Sequence, residues 1–552
     1  MKMVKSLVLG STAALFAMSG AQAADLPLKA KAVEYVRICS LYGAGFWYIP
    51  GTDTCLKLGG YLRTELAINA NNDYGGNVSG QGGANNRFTN AYTWRARETL
   101  DIDTRTATEY GVLRTFANLN FSWTTDSYQG NGTGGTQYGP LGSGTNNISL
   151  PNNAGAGNIG GGTFGIYHAF IQFAGFTMGR TISQFSTPWT NYPANNYDAL
   201  VGGGGTVTGV NQFTYTWDFG AGTSFALSAQ DGTAYYQAGV NNLSASSIIG
   251  SSNYAGTAYP DFVGMFRIDQ AWGLFQASVA AHDNHTAYYS QPFAAITSSE
   301  LGGHPDDKWG WAVQLALQIK NIPTGPGDDF KIQGVYTNGA TRYNIQDLAG
   351  QFGAVALYGG AANPLLSPAA YQGVAFAFAP DTVYATGTNQ HAISTWGVRG
   401  AFNHNWDPHW ASSVYGAWAQ VRYDDFSKGL ICGITGLTGP SAASSILNVP
   451  LNGVLGSLIA PGGHCNPDYS IGQVGFTTIW TPIKNLSFSA DVTWQQIDQK
   501  NSGVTFATPA IGGTTLASVL GGSSAFGKPS GIAYELKNEN NWTLLLRAQR
   551  NW

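Results

Sequence analysis

From residue 55 onward, apolar and polar residues alternate in short runs. Leu56, Leu58, Leu62 and Leu66 share one parity, and Lys57, Tyr61, Arg63 and Glu65 the other. Trp309, Trp311, Val313, Leu315, Leu317 and Ile319 form one face of a later run, opposite Gln314, Gln318 and Lys320. Phe488, Ala490, Val492 and Trp494 alternate with Ser489, Asp491, Thr493 and Gln495. In the last run Trp542, Leu544, Leu546 and Ala548 oppose Arg547, Gln549 and Asn551. A period of two is the signature of β-strands. Sixteen such segments are expected, near 55–70, 91–104, 109–123, 163–174, 176–185, 211–219, 222–231, 260–271, 273–284, 308–321, 328–338, 392–406, 410–424, 470–481, 485–499 and 541–552.

The connections alternate in length. Thr104–Thr108, Ala174-Gly175, Phe219–Gly222 and Asn321–Gly327 are short; 71–90, 124–162, 186–210, 232–259, 285–307, 339–391, 425–469 and 500–540 are long and rich in Gly, Asn, Ser and Thr. Sorting loops by parity suits an all-β chain whose strands cross a membrane, with short periplasmic turns and long extracellular loops. A soluble sandwich has no reason for it, and a solenoid would show a fixed repeat period. The expected fold is a 16-stranded antiparallel transmembrane β-barrel. Closure satisfies every backbone polar group in lipid. Sixteen strands enclose an aqueous lumen, whereas eight would fill the inside with side chains.

Composition narrows the picture further. Charged residues are 11% of the chain, against roughly 25% in ordinary soluble domains. Lys2 and Lys5, the apolar stretch Leu7–Met18 and Ala21-Gln22-Ala23 read as a signal peptide over 1–23. That apolar stretch is too short for a membrane anchor. Residues 24–54 would then be a small periplasmic segment and 55–552 the barrel, in a mature chain of 529 residues (552 − 23). The formal charge of −4 becomes −6 without Lys2 and Lys5, which argues against a nucleic-acid partner.

Cys39, Cys55, Cys432 and Cys465 are an even set in an exported chain and suggest two disulfides, with connectivity open. Nearest-neighbour pairing would join Cys39 to Cys55 and Cys432 to Cys465. His464 beside Cys465 is the one hint of zinc and lacks the remaining ligands. His282-Asp283-Asn284-His285 hints at a metal, but it sits where a strand enters a loop. Gly202–Gly205 lacks the Lys-Ser/Thr of a phosphate loop. No local motif supports hydrolytic catalysis, and no cofactor is expected. Trp309 and Trp311 read as an interfacial girdle.

One stretch carries a family resemblance. Val33-Glu34-Tyr35-Val36-Arg37-Ile38-Cys39, Tyr42-Gly43-Ala44-Gly45-Phe46, Tyr48-Ile49-Pro50-Gly51-Thr52-Asp53-Thr54-Cys55 and Gly59-Gly60-Tyr61-Leu62-Arg63 together resemble the start of alphaproteobacterial outer-membrane porins. The Arg550-Asn551-Trp552 end resembles theirs too, though the family more often has Phe last. The resemblance implies a homotrimer in outer-membrane lipid and passive diffusion of ions and small hydrophilic solutes. Alternatives are a sugar- or anion-specific channel, a structural or adhesive barrel with a plugged lumen, and an outer-membrane enzyme.

In many porins the loop after the fifth strand folds inward and narrows the pore. Here that loop is about Ser186–Val210, and Asp198 is its one charge. Lys57, Arg63, Arg95, Arg97, Arg114 and Arg399 alternate with apolar neighbours and should face the lumen, with Glu65, Asp101 and Asp491 as acidic counterparts. Arg63, Arg95 and Arg97 are expected to face the loop that carries Asp198. Glu98 shares the outward parity of Trp94 and strains this register; an interface position or a β-bulge would explain it.

Overall fold

A computed structural model describes residues 37–70, 82–87, 91–124, 163–198, 200–204, 207–236, 238–244, 252–289, 300–346, 354–433, 459–505 and 532–552, with Val78, Thr89, Lys528 and Pro529. The expected signal peptide lies outside them. Residues up to Leu56 form one compact unit, and Lys57–Trp552 a second. In the first, a Cys39–Cys55 disulfide is buried with Phe46, and Tyr42 and Tyr48 pack against them.

Sixteen strands form the barrel wall: β1 (Cys55–Ile68), β2 (Tyr92–Thr108), β3 (Gly111–Thr124), β4 (Thr163–Phe173), β5 (Phe176–Thr181), β6 (Val210–Gly220), β7 (Thr223–Gln230), β8 (Asp261–Gln270), β9 (Gly273–Asn284), β10 (Lys308–Lys320), β11 (Asp329–Asn338), β12 (Ser394–Asp407), β13 (Trp410–Arg422), β14 (Tyr469–Ile483), β15 (Leu486–Gln499) and β16 (Glu539–Asn551). Each pairs with its sequence neighbour in the wall, and β16 returns to β1 with Tyr61 opposite Asn551 and Ile68 opposite Leu544. The sheet is therefore closed. No helix among the described residues is long and apolar enough to cross a membrane.

Each expected segment is a wall strand, with shifted ends. β2 runs on to Thr108, because Thr104 to Thr108 continue to pair across to Thr115 through Gly111. β5 stops at Thr181 rather than 185, because the chain there turns into the lumen and buries Ser183 and Phe185. The β2–β3 register is unbroken from Arg95 to Thr108, so no bulge on the β3 side accommodates Glu98. Glu98 stays on the outer face and accepts a hydrogen bond from the Trp552 indole at 3.1 Å. Arg550, also outward by parity, donates to the Lys484 carbonyl beside a short turn.

The long loops carry more order than their composition suggests. Ala354–Ala361, Gln372–Phe378, Tyr534–Leu536 and Gly503–Thr505 make a four-stranded sheet, and Val240–Asn242, Thr382–Tyr384 and His391–Ala392 a three-stranded one. Leu357, Val374, Phe376 and Val383 bury themselves against the inward-facing wall residues Tyr415 and Val421. A short helix, α1 (Asp425–Cys432), follows β13, capped by the Asp424 side chain. A disulfide links its last residue, Cys432, to Cys465.

Candidate functional site: the lumen and its infolded loop

The loop between β5 and β6 crosses the barrel interior, and inward polar side chains of strands from β9 to β16 hold it. Gln276 of β9 donates to the Ser186 carbonyl at 3.0 Å, and Gln314 of β10 to the Phe185 carbonyl at 2.8 Å. Gln333 of β11 accepts from Thr187 and the Trp189 indole. Arg399 of β12 donates to the carbonyls of Thr190, Leu200 and Gly204 and to Asn191 Oδ1. Gln473 of β14 accepts from the Val201 amide, and Asp491 of β15 from the Asn196 amide. Arg547 of β16 donates to both oxygens of Asn196. A loop inside a barrel has no ladder to join, so its backbone groups need such side-chain partners.

The glycines explain how closely the loop approaches the wall. Gly202 has φ +92°, and a Cβ there would meet the Val398 carbonyl oxygen at 2.5 Å. Only glycine combines that conformation with that contact. The Gly-rich run is thus a docking point on β12.

The expected lumen residues fall in several places. Arg95, Glu65 and Asp198 come together: Arg95 Nε meets Glu65 at 2.5 Å and its Nη1 lies 3.7 Å from Asp198, which also accepts from the Tyr192 hydroxyl. Arg547, which sequence reasoning left out, completes the cluster through Glu65 at 2.6 Å. Arg63 and Arg97 lie on the same two strands, β1 and β2. Arg63 bonds Gln549 and lies over the Tyr61 ring; Arg97 bonds Ser122 and lies over Tyr167. Arg114 sits nearer the short turns, sharing Asp103 with Arg105 at 3.0 Å each. Lys57 lies near the start of β1 and is exposed. Arg399 stands apart from all of these as the buried clamp of the loop.

The two sides of the interior differ. Gln276, Gln314, Gln333, Arg399, Gln473 and Asp491 are at most 1% exposed beneath the loop. Arg105 and Arg114, on the opposite side, keep 29% and 28% of their side-chain surface, and Arg63 and Arg97 are half-buried.

His282 and His285 turn to different partners, Asp261 and Tyr254 for the first and Asp307 for the second. Trp309 and Trp311 stand exposed on the outer face.

The family model described as the porin subfamily matches residues 25–543. The chain belongs to the porin subfamily. A porin resides in the outer membrane, and the closed wall with its exposed apolar belt suits that place. Relatives include porin Omp2b of Brucella suis biovar 1 (strain 1330), 34% identical over 285 residues, which is 51% of this chain and 66% of that protein. Porin Omp2b of Brucella abortus (strain 2308) matches to the same extent. The match spans just under two thirds of these relatives. Among solved structures, the outer membrane channel DcaP of Acinetobacter baumannii is similar, at TM-score 0.47 and 14% identity, over 92% of this chain and 99% of that one. An anion-selective porin from Comamonas acidovorans is similar at TM-score 0.41 and 9% identity, over 90% of this chain and all of that one.

Proposed function

We propose that this porin forms a passive, water-filled channel for ions and small hydrophilic solutes, and that its conduit is eccentric. The observation that carries the reading is the contrast between the two sides of the interior. The infolded loop seals the inner face of β9–β15, while Arg63, Arg97, Arg105 and Arg114 of β1–β3 keep water-facing surface. Solutes then pass between the loop and an arginine-rich wall. The low-dielectric protein walls focus the field of these guanidiniums into the narrow water-filled passage, so the wall favours anions. Arg95 contributes less, because Glu65 and Asp198 offset its charge. The chain performs no catalytic step in this reading. It is exported with loss of residues 1–23, as the leader pattern implies, and assembles as a homotrimer, as the family resemblance implies.

The apolar cluster of the long loops favours a second reading, a barrel occluded by its own loops. Liposome swelling separates the two. Proteoliposomes should swell in small neutral sugars and in small organic anions, faster in the anions. Proteoliposomes that swell in neither would support the occluded barrel.

A further inference from the structure

On the outer face of β10–β13, side chains change character toward the long-loop rim. Leu315 and Val414, both 55% exposed, lie low on the wall. Above them Trp311, Tyr336 and Trp396 form an aromatic row, with Trp311 and Tyr336 centroids 5.2 Å apart. Next come Asn338, Ser394 and Arg422, side by side: Asn338 pairs across to Ser394 and Ser394 to Arg422. They share the outward parity of Tyr336 and Trp396. A cavity of about 530 Å³ opens there, lined by these three with Lys308, His391 and Asp424 among others.

The charges at this cavity do not cancel. Asp424 is taken up by His391 at 2.6 Å and by the Ser427 amide at 2.8 Å. Arg422 keeps 56% of its side-chain surface, and its partner Asp468 holds Lys428 more closely, at 2.7 Å against 3.4 Å. Lys308 has no ion-pair partner among the described residues. Two cations, a histidine bonded to the Asp424 carboxylate, and two neutral polar groups stand directly above an aromatic belt. Aromatic belts mark the level of lipid headgroups, and basic residues beside them attract anionic heads.

We propose that this cavity binds the phosphate of an anionic lipid, with Lys308 and Arg422 as its charge partners and Asn338 and Ser394 as further polar contacts. The chemistry recognised is a phosphate monoanion or dianion. Its source is a lipid, because Asn338, Ser394 and Arg422 face outward, with the aromatic row beneath them to receive the chains; Lys308, the first residue of β10 and of inward parity, lines the cavity at the rim.

The test uses the full-length protein in nanodiscs of phosphatidylcholine with a minority of phosphatidylglycerol. Native mass spectrometry after delipidation reads the retained lipid. The wild type should keep phosphatidylglycerol in preference to phosphatidylcholine. Lys308→Gln with Arg422→Gln should lose that preference, by about fivefold for each basic residue removed. Lys320→Gln, at the opposite end of β10, should keep it. The single variant Lys308→Gln, with conductance matching wild type, covers the case in which the double variant misfolds. Equal retention in wild type and variants would overturn the proposal. Binding of inorganic phosphate that depends on Lys308 and Arg422, with no preferential retention of phosphatidylglycerol, would also overturn it, by assigning the site to a free anion.

Discussion

At the scale of single residues, alternation fixes which way a side chain points but not what it meets there. Arg63, Arg95, Arg97, Arg114 and Arg399 all read alike in the sequence, as cations opposite an apolar parity. Their environments then diverge. Arg399 is buried and clamps three carbonyls, whereas Arg97 keeps contact with water. Gln276, Gln314 and Gln333 were readable as inward-facing too. A glutamine that anchors a loop has the same local signature as one that faces water, so their role waited on the fold. Two predictions belong here. Arg63→Gln with Arg97→Gln should lower the preference for anions by roughly twofold or more in about 0.1 M salt, where fields reach about 10 Å. Reversal potential in a salt gradient measures it, and an unchanged value would mean that these arginines lie off the ion path. Arg399→Met should weaken loop anchoring by about 3 kcal/mol, since hydrogen bonds from a charged donor are lost and their carbonyls left unpaired. Single-channel recordings should then show larger and noisier conductance. Recordings matching wild type would mean that the glutamines alone suffice.

At the scale of elements, strands that alternate were legible and loops that fold were not. The Val374-Ala375-Phe376-Ala377-Phe378 run is apolar at every position and buried throughout, so it lacks the apolar–polar alternation that marks a wall strand. It lies within the long Gly- and Ala-rich link 339–391. The loop module it builds is pinned to the wall by a polar cluster. Asp381 accepts from the Thr341 amide and the Tyr254 hydroxyl and lies 3.9 Å from His282, which in turn bonds Asp261; Tyr343 also donates to Asp261. Burial pushes the Asp381 carboxyl up to about 6, against the opposing effects of His282, Thr341 and Tyr254. A raised carboxyl binds its proton more tightly when docked than when free. Its contribution to docking is therefore present below the ordinary value of 3.8 and is lost as pH rises through about 6. Hydrogen-exchange protection factors of the 372–384 segment, corrected for the intrinsic pH dependence of amide exchange, should be higher at pH 4.5 than at pH 7, and Asp381→Asn should flatten that difference. A variant with the full wild-type pH dependence would assign it to another group.

The disulfides act at this scale as well. Cys432 and Cys465 are 33 residues apart, and closing such a loop is worth about 3–4 kcal/mol in the chain-entropy model. Cys432→Ser with Cys465→Ser should expose the 425–469 link to proteolysis and leave the barrel band intact. Loss of the barrel itself would mean that this bond supports the wall.

At the scale of the whole molecule, closure was the most legible property, because lipid imposes it. Sixteen alternating segments with loops sorted by parity leave few other solutions. A closed wall with every ladder paired should resist detergent until heated. The mature protein should run as a compact oligomer unheated and as a monomer after boiling. A monomer alone in mild detergent would remove the trimer and leave the barrel.

The central claim is an open conduit beside an arginine-lined wall. Planar-bilayer recording of the purified protein under a salt gradient tests it most directly. Stable ohmic steps are expected, with a reversal potential displaced toward the anion's equilibrium value. Membranes that stay silent, or a reversal potential on the cation side, would contradict it.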